Sequence, residues 1–280
     1  MNTNMERFAR CDEYIRAFEA ACKTPVVRKG AVCRCGVDLG TACVVVAVID
    51  ENGNPVAGKY RYADVVRDGM VVDYIGAIGI VRSMKEQLEQ ELGVDELLYA
   101  AAAIPPGTDA LDGGVVKNVV QAAGFELTGV LDESTAANAV LQIRDGAIVD
   151  IGGGTTGISI FESGEVIYTA DEATGGTHFT LTLAGAMHMA YEEAELYKRD
   201  VSHHQEILPI LRPVGEKVAS IISRHIAGRN VPEIYLVGGT SCLSGLEDIL
   251  TKEIGLPVLK PSNPMFVTPL GIALHCKEGE

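Results

Sequence analysis

Two glycine-rich turns, each led by one aspartate, lie 112 positions apart: Gly36-Val37-Asp38-Leu39-Gly40-Thr41 and Asp150-Ile151-Gly152-Gly153-Gly154-Thr155-Thr156. Each follows or ends a short apolar run and precedes another, 44–49 in the first case and 158–161 in the second. Each therefore reads as strand, tight turn, strand. Glycines let backbone N–H groups approach a polyphosphate, and a carboxylate at the strand end can hold Mg2+ through water, the coordination that ion prefers. The pattern continues past the turns, because Asp50-Glu51-Asn52-Gly53-Asn54 follows the first hairpin as Phe161-Glu162-Ser163-Gly164-Glu165 follows the second. Two similar units at this interval predict a duplicated architecture with a nucleotide held between halves.

At 280 residues and 47% hydrophobic, the chain can bury one large core or two modest ones. A net charge of −15 opposes nonspecific association with nucleic acid or an anionic membrane, so any nucleotide must be held locally, with metal help. The longest stretch without Asp, Glu, Lys or Arg, 173–191, is interrupted by Gly, Thr and two His and does not read as a membrane span. Glu6, Arg7, Arg10, Asp12 and Glu13 occupy what would be the apolar region of a secretory signal. Seven cysteines, five of them before Ala47, suit a reducing cytoplasm rather than a disulfide framework. Cys33-Arg34-Cys35 has no second pair near it to complete a zinc site, and its thiols read as buried or strand-lining.

Met5, Phe8, Cys11, Ile15, Phe18 and Cys22 fall at helical spacing and predict an amphipathic helix over 5–22. Lys23-Thr24-Pro25 and Arg28-Lys29-Gly30 end it. Its apolar face is expected either to pack on the body of the protein or to dock on a partner. Residues 1–30 thus read as helix and linker, 31–145 as a first lobe and 146–264 as a second. A helix over 265–276 is expected to return to the first lobe. First-lobe strands are expected at 32–37, 44–50, 56–62, 97–104 and 126–131, with helices at 74–92, 115–123 and 134–143. The second lobe has expected strands at 146–150, 157–161, 165–170 and 234–237, and helices at 177–189, 192–198, 207–227 and 243–254. Hairpins mixed with strand-helix alternation give α/β layers.

The order of motifs resembles the actin, Hsp70 and sugar-kinase superfamily. Asp38-Leu39-Gly40-Thr41 matches its phosphate-1 motif, Asp150 to Thr156 its phosphate-2 motif, and Leu236-Val237-Gly238-Gly239 its adenosine motif. Leu131-Asp132-Glu133-Ser134-Thr135-Ala136-Ala137 resembles the first connecting motif, with Ser134 where the family usually has proline. Within the superfamily the chain is most similar to the EutJ family of ethanolamine-utilization proteins. That similarity rests on Ala63-Asp64-Val65-Val66-Arg67-Asp68-Gly69, Ile104-Pro105-Pro106-Gly107-Thr108-Asp109, Ala170-Asp171-Glu172-Ala173-Thr174-Gly175-Gly176 and Leu181-Thr182-Leu183-Ala184-Gly185.

The resemblance implies a two-lobed actin-like (ribonuclease H-like) ATPase fold with a nucleotide cleft between the lobes and no Hsp70 substrate-binding domain. It further implies ATP and Mg2+ as cofactors, with Asp38 and Asp150 holding the metal. Phosphate contacts are assigned to Gly40, Thr41, Ala42, Gly152, Gly153, Gly154, Thr155 and Thr156. Nucleoside contacts fall to Gly238 and Gly239, and to Glu195 and Lys198, whose i,i+3 spacing reads equally as an exposed ion pair. Glu133 would orient the attacking water, or serve as a helix N-terminal acid. Lys59 is the nearby candidate for a phosphate-facing lysine, and the adjacent His203 and His204 read as solvated surface. The implied protein is a slow, Mg2+-dependent ATPase with a chaperone-like role toward ethanolamine-degrading enzymes or microcompartment shell proteins. It would be cytoplasmic or associated with a bacterial microcompartment. The alternatives are an actin-like filament or scaffold ATPase and, behind it, a small-molecule kinase.

Overall fold

Valine dominates the first hairpin, and β-branched side chains favour the extended backbone there. In the computed structural model, β1 (Arg34–Leu39), β2 (Cys43–Ile49) and β3 (Pro55–Tyr62) form an antiparallel meander. The structure describes residues 3–27, 32–67, 70–105 and 110–277. The motif residues Asp68, Gly69 and Pro106-Gly107-Thr108-Asp109, and the linker at 28–31, lie outside that range. A short hairpin not foreseen from the sequence, β4 (Val66–Arg67) with β5 (Met70–Val71), precedes α2 (Tyr74–Leu92).

The chain divides into two compact units, Met1–Gln142 with Pro261–Glu280, and Ile143–Lys260. In the first, β6 (Tyr99–Ile104) and β7 (Glu126–Asp132) join β1 in parallel, giving the order β3-β2-β1-β6-β7. Ala100 and Ala102 of β6 face a core shared with α2 and α3 (Ala110–Ala122). Ala101 and Ala103 face the other way, toward α4 (Glu133–Leu141) and α9 (Val267–His275). The period-2 alternation of a strand thus buries both faces in small side chains. Helix α3 starts earlier than its sequence suggests, because Gly113-Gly114 reads as a break but is carried through by the helix.

Helix α1 (Thr3–Lys23) packs on β3. Ile15 and Phe18 are fully buried, and Gly58 makes room for the phenyl ring, since a Cβ there would lie 2.4 Å from Phe18 Cζ. Phe18 also meets Phe266 edge-on at 5.1 Å. Of the two uses expected for this apolar face, packing on the protein is the one observed. All seven cysteines are free thiols, and burial pushes those of Cys11 and Cys22 up to about 12.

At the start of α4, Asp132 is the N-cap: its carboxylate accepts from Thr135 N at 2.8 Å and from Thr135 Oγ1 at 2.5 Å. Removing such a cap costs about 1 kcal/mol. Asp132→Ala is therefore expected to lower unfolding free energy by that amount in urea titration; an unchanged midpoint would exclude the capping role.

The second unit repeats the first. Strands β8 (Gly146–Ile151), β9 (Thr156–Glu162), β10 (Glu165–Glu172), β11 (Ile234–Val237) and β12 (Val258–Leu259) run in the order β10-β9-β8-β11-β12. The senses match as well: antiparallel on the hairpin side of the first strand, parallel on the other. Asp38 pairs with Val45, and Asp150 pairs with Gly157, the same seven-residue offset. Both hairpins therefore close through four residues, 40–43 and 152–155. The following turns correspond too, with Gly53 at φ 82° and Gly164 at φ 91°. One face of this sheet is covered by α5 (Gly176–Met187), α6 (Tyr191–Arg199), α7 (His204–Ile226) and α8 (Leu246–Ile254), around a core that includes Phe179, Leu211, Val218 and Leu250. The helix expected over 243–254 begins only at Leu246, because Gly245 at φ 84° is its N-cap, and a 3-10 turn at Thr240–Cys242 precedes it.

Candidate functional site

Asp150 sits near the C-terminal end of β8, between Gly157 of β9 and Val237 of β11. The C-terminal ends of parallel strands are where ligands settle on open α/β sheets. Directly after Val237, Gly238 turns at φ 89° and crosses so close to the aspartate that a Cβ would lie 2.2 Å from Asp150 Oδ1 and 2.6 Å from the Ile151 carbonyl oxygen. Only glycine fits there, so the candidate phosphate and adenosine motifs are in direct contact.

The turn itself is built against α5. Gly152 N donates to Thr155 O at 3.0 Å, closing the loop. The Gly152 carbonyl accepts from Gly176 N at 2.9 Å and from Thr240 Oγ1 at 2.7 Å, and the Gly153 carbonyl accepts from Thr177 N at 2.8 Å. A Cβ at Gly175 would meet Gly154 C at 2.6 Å, so the glycine pair 175–176 is also part of the site. With the carbonyls turned to α5, the amides of Gly153, Gly154 and Thr155 have no acceptor among the described hydrogen bonds. Amides without a protein acceptor suit an anion. Thr156 is fully buried, and its hydroxyl donates to Thr174 O at 2.5 Å, which makes it a brace behind the turn.

Glu195 and Lys198 on α6 do not form an exposed ion pair. Lys198 is 8% exposed, and its ammonium reaches Thr180 Oγ1 at 2.7 Å, Glu195 Oε2 at 2.8 Å and Gly176 O at 3.1 Å. Three acceptors match the three donors of an ammonium. Burial lowers the Lys198 pKa from the ordinary lysine value, and Glu195 opposes that shift. The pair thus locks α6 to the N-terminal part of α5, next to the glycine turn at 152–155. His204 departs from expectation in the same way: it is 4% exposed rather than solvated, with its ring between the Lys198 carbonyl and Ser244. The signal for this was available, since His204 stands three residues before Ile207 in the stripe Ile207, Leu211, Val214, Val218 that α7 buries.

In the first unit, Asp38 occupies the corresponding place near the end of β1, followed by Gly40, Thr41 and Ala42 in the turn. A Cβ at Gly40 would approach Cys43 O to 2.8 Å, so this turn is tight too. Glu133, the first residue of α4, follows β7 at the same sheet edge. Strand β6 lies between β1 and β7, so Asp38 and the end of β7 are about 10 Å apart. Asp132 is engaged as the cap, and Glu133 is the first residue of the helix that it caps. Lys59 is held by Glu91 at 2.6 Å on the α2 side of the sheet, away from the role considered for it. Among the described residues no cluster of three or more Asp, Glu, His or Cys is arranged to ligate a metal, and no helix is long and apolar enough to cross a membrane.

Residues 120–269 match the family model of the type IV pilus assembly protein PilM. Ethanolamine utilization protein EutJ of Escherichia coli K12 is 47% identical over 244 residues, covering 87% of this chain and 86% of that protein. The crystal structure of EutJ from Carboxydothermus hydrogenoformans superposes with a TM-score of 0.91 at 44% identity, covering 96% of this chain and 99% of that one. MreB5 of Spiroplasma citri, solved bound to ADP, shares the fold at a TM-score of 0.67 and 18% identity, covering 85% of this chain and 94% of that one. With its paired sheets and their glycine turns, the chain belongs to the EutJ family of ethanolamine utilization proteins, within the wider PilM-type group of actin-like ATPase folds.

Proposed function

We propose that this protein binds Mg2+ and ATP and uses slow turnover to assist the assembly, refolding or reactivation of ethanolamine-degrading enzymes or of the microcompartment that houses them. The observation that carries the nucleotide reading is the contact of Gly238 with Asp150, beside three turn amides that have no described protein acceptor. Such a cradle suits a polyphosphate whose charge is screened by a cation. Asp150 would hold Mg2+ through water, and Asp38 has the same proposed role in its own turn. The metal would supply charge neutralisation at the phosphates. Gly153, Gly154 and Thr155 would donate to phosphate oxygens, as would Gly40, Thr41 and Ala42 in the first unit. Gly238 and Gly239 would admit the nucleoside, and Glu195 with Lys198 would fix α6 beside it. Glu133 would position water; in phosphoryl transfer such a residue orients more than it deprotonates. The ethanolamine-related role rests on family membership.

Calorimetry and phosphate release with Mg·ATP test the chemistry. Asp150→Asn is expected to weaken binding about tenfold, and Glu133→Ala to retain binding while hydrolysis falls about tenfold. If the wild type binds no nucleotide, the ATPase reading falls and the family assignment stands. The assembly role requires ATP-dependent association with ethanolamine-degrading enzymes or shell proteins in pull-downs. Association indifferent to nucleotide would sink it.

A further inference from the structure

We propose that His204 is a positioning residue for the nucleoside side of the second unit, tying the loop after β11 to the end of α6 only while its imidazole is neutral. The inference rests on the ATP-binding reading above and adds a proton to it.

The geometry fixes the tautomer. His204 Nδ1 lies 3.0 Å from Ser244 N and 3.1 Å from Ser244 Oγ, while Nε2 lies 3.0 Å from the Lys198 carbonyl oxygen. A backbone amide can only donate, so Nδ1 is the acceptor and the ring proton sits on Nε2, donating to Lys198 O. The two elements joined this way both touch the candidate site. Lys198 reaches Gly176 through its side chain, and the loop that ends at Ser244 begins with Gly238 over Asp150 and includes Thr240 on the Gly152 carbonyl. The ring is therefore a cross-brace behind the nucleoside-facing backbone.

Protonation would place a hydrogen on Nδ1 pointing at the Ser244 amide, two donors face to face, and that bond would be lost. The surroundings resist the charge. Burial is the largest cause lowering the His204 pKa, and Lys260 and His203 add to it, while the Lys198 carbonyl and Asp200 oppose it. Lys260 holds the Leu243 carbonyl at 3.1 Å and Glu247 at 2.5 Å; on α6, Lys198 and Arg199 are paired with Glu195. As the first residue of α7, His204 also sits at the positive end of that helix dipole. The sign follows: the brace is intact above the ordinary histidine range and is lost as pH falls through the depressed pKa of the folded protein.

The test is Mg·ATP calorimetry on the full chain from about pH 8 to about pH 5.5. It would compare wild type, His204→Asn, which keeps an acceptor for Ser244 without titrating, and His204→Phe, which keeps neither bond. Wild-type affinity should fall about twofold or more beyond that of the Asn variant by the acid end of the range, the Asn variant reporting the nucleotide's own titration, and the Phe variant should bind weakly throughout. Parallel profiles for wild type and His204→Asn overturn the proposal. Nitrogen NMR of the wild-type ring decides independently of whether the variants fold: a neutral ring with its proton on Nε2 supports it, and a proton on Nδ1 overturns it. Absence of binding at about pH 8 removes the ATP reading and this inference with it. Binding at that pH with parallel profiles removes this inference alone.

Discussion

Gly271→Ala should destroy the first unit's packing: loss of about 4 kcal/mol or more, enough to leave a marginally stable protein substantially unfolded. Helix α9 lies so close to α4 that a methyl at 271 would stand 1.7 Å from the Ala136 carbonyl oxygen and 2.4 Å from its carbon. Those atoms belong to backbone inside a helix and cannot rotate away as a side chain would. On the opposite side α9 is equally confined, because a Cβ at Gly36 of β1 would lie 2.4 Å from Pro269 O and 2.5 Å from Ala273 N. The helix cannot relieve one clash without making another. Thermal and urea unfolding of the variant would show the loss, and a wild-type midpoint would refute the close packing of α4 on α9.

On the proposed ATP-binding reading, Gly238→Ala is expected to lower affinity for Mg·ATP about a hundredfold or more, a free-energy change of ~3 kcal/mol. Two causes act together. The residue would be strained at φ 89°, and its methyl would press on Asp150 Oδ1 and on the Ile151 carbonyl, spreading the ends of β8 and β11. Gly164→Ala separates the two causes, since Gly164 has φ 91° but nothing within 4 Å of the added carbon. That control should lose about 1 kcal/mol of stability and bind normally. If both variants bind alike, the close approach of Gly238 to Asp150 has no bearing on ligand.

Much of the fold was legible because its signals are local. The strands beside the two aspartates follow from apolar runs and β-branched residues, and the turns from glycine. The correspondence of Gly53 with Gly164 survives as two left-handed turn residues in matching hairpins. What escaped depends on contacts distant in sequence. His204 looked exposed because its neighbours are polar, yet its ring finds Ser244 forty residues away. Lys198 and Glu195 looked like surface helix spacing, and became an internal tie only when Gly176 and Thr180 of α5 arrived beside them. The role of Gly175, which lets the glycine turn at 152–155 rest on α5, likewise depends on the approach of Gly154 and Thr155. That Asp132 is the residue that caps α4 also depends on a turn geometry that Asp-Glu-Ser-Thr alone does not fix.

The matched four-residue turns are equal in length and register but not in composition: Gly40-Thr41-Ala42-Cys43 has one glycine, and Gly152-Gly153-Gly154-Thr155 has three. Each glycine loses more backbone freedom on ordering than a residue with a side chain, by roughly 0.5–1 kcal/mol. Folding the second copy therefore costs more backbone entropy than folding the first, and the hydrogen bonds that close its turn and tie it to α5 offset that cost before any ligand arrives.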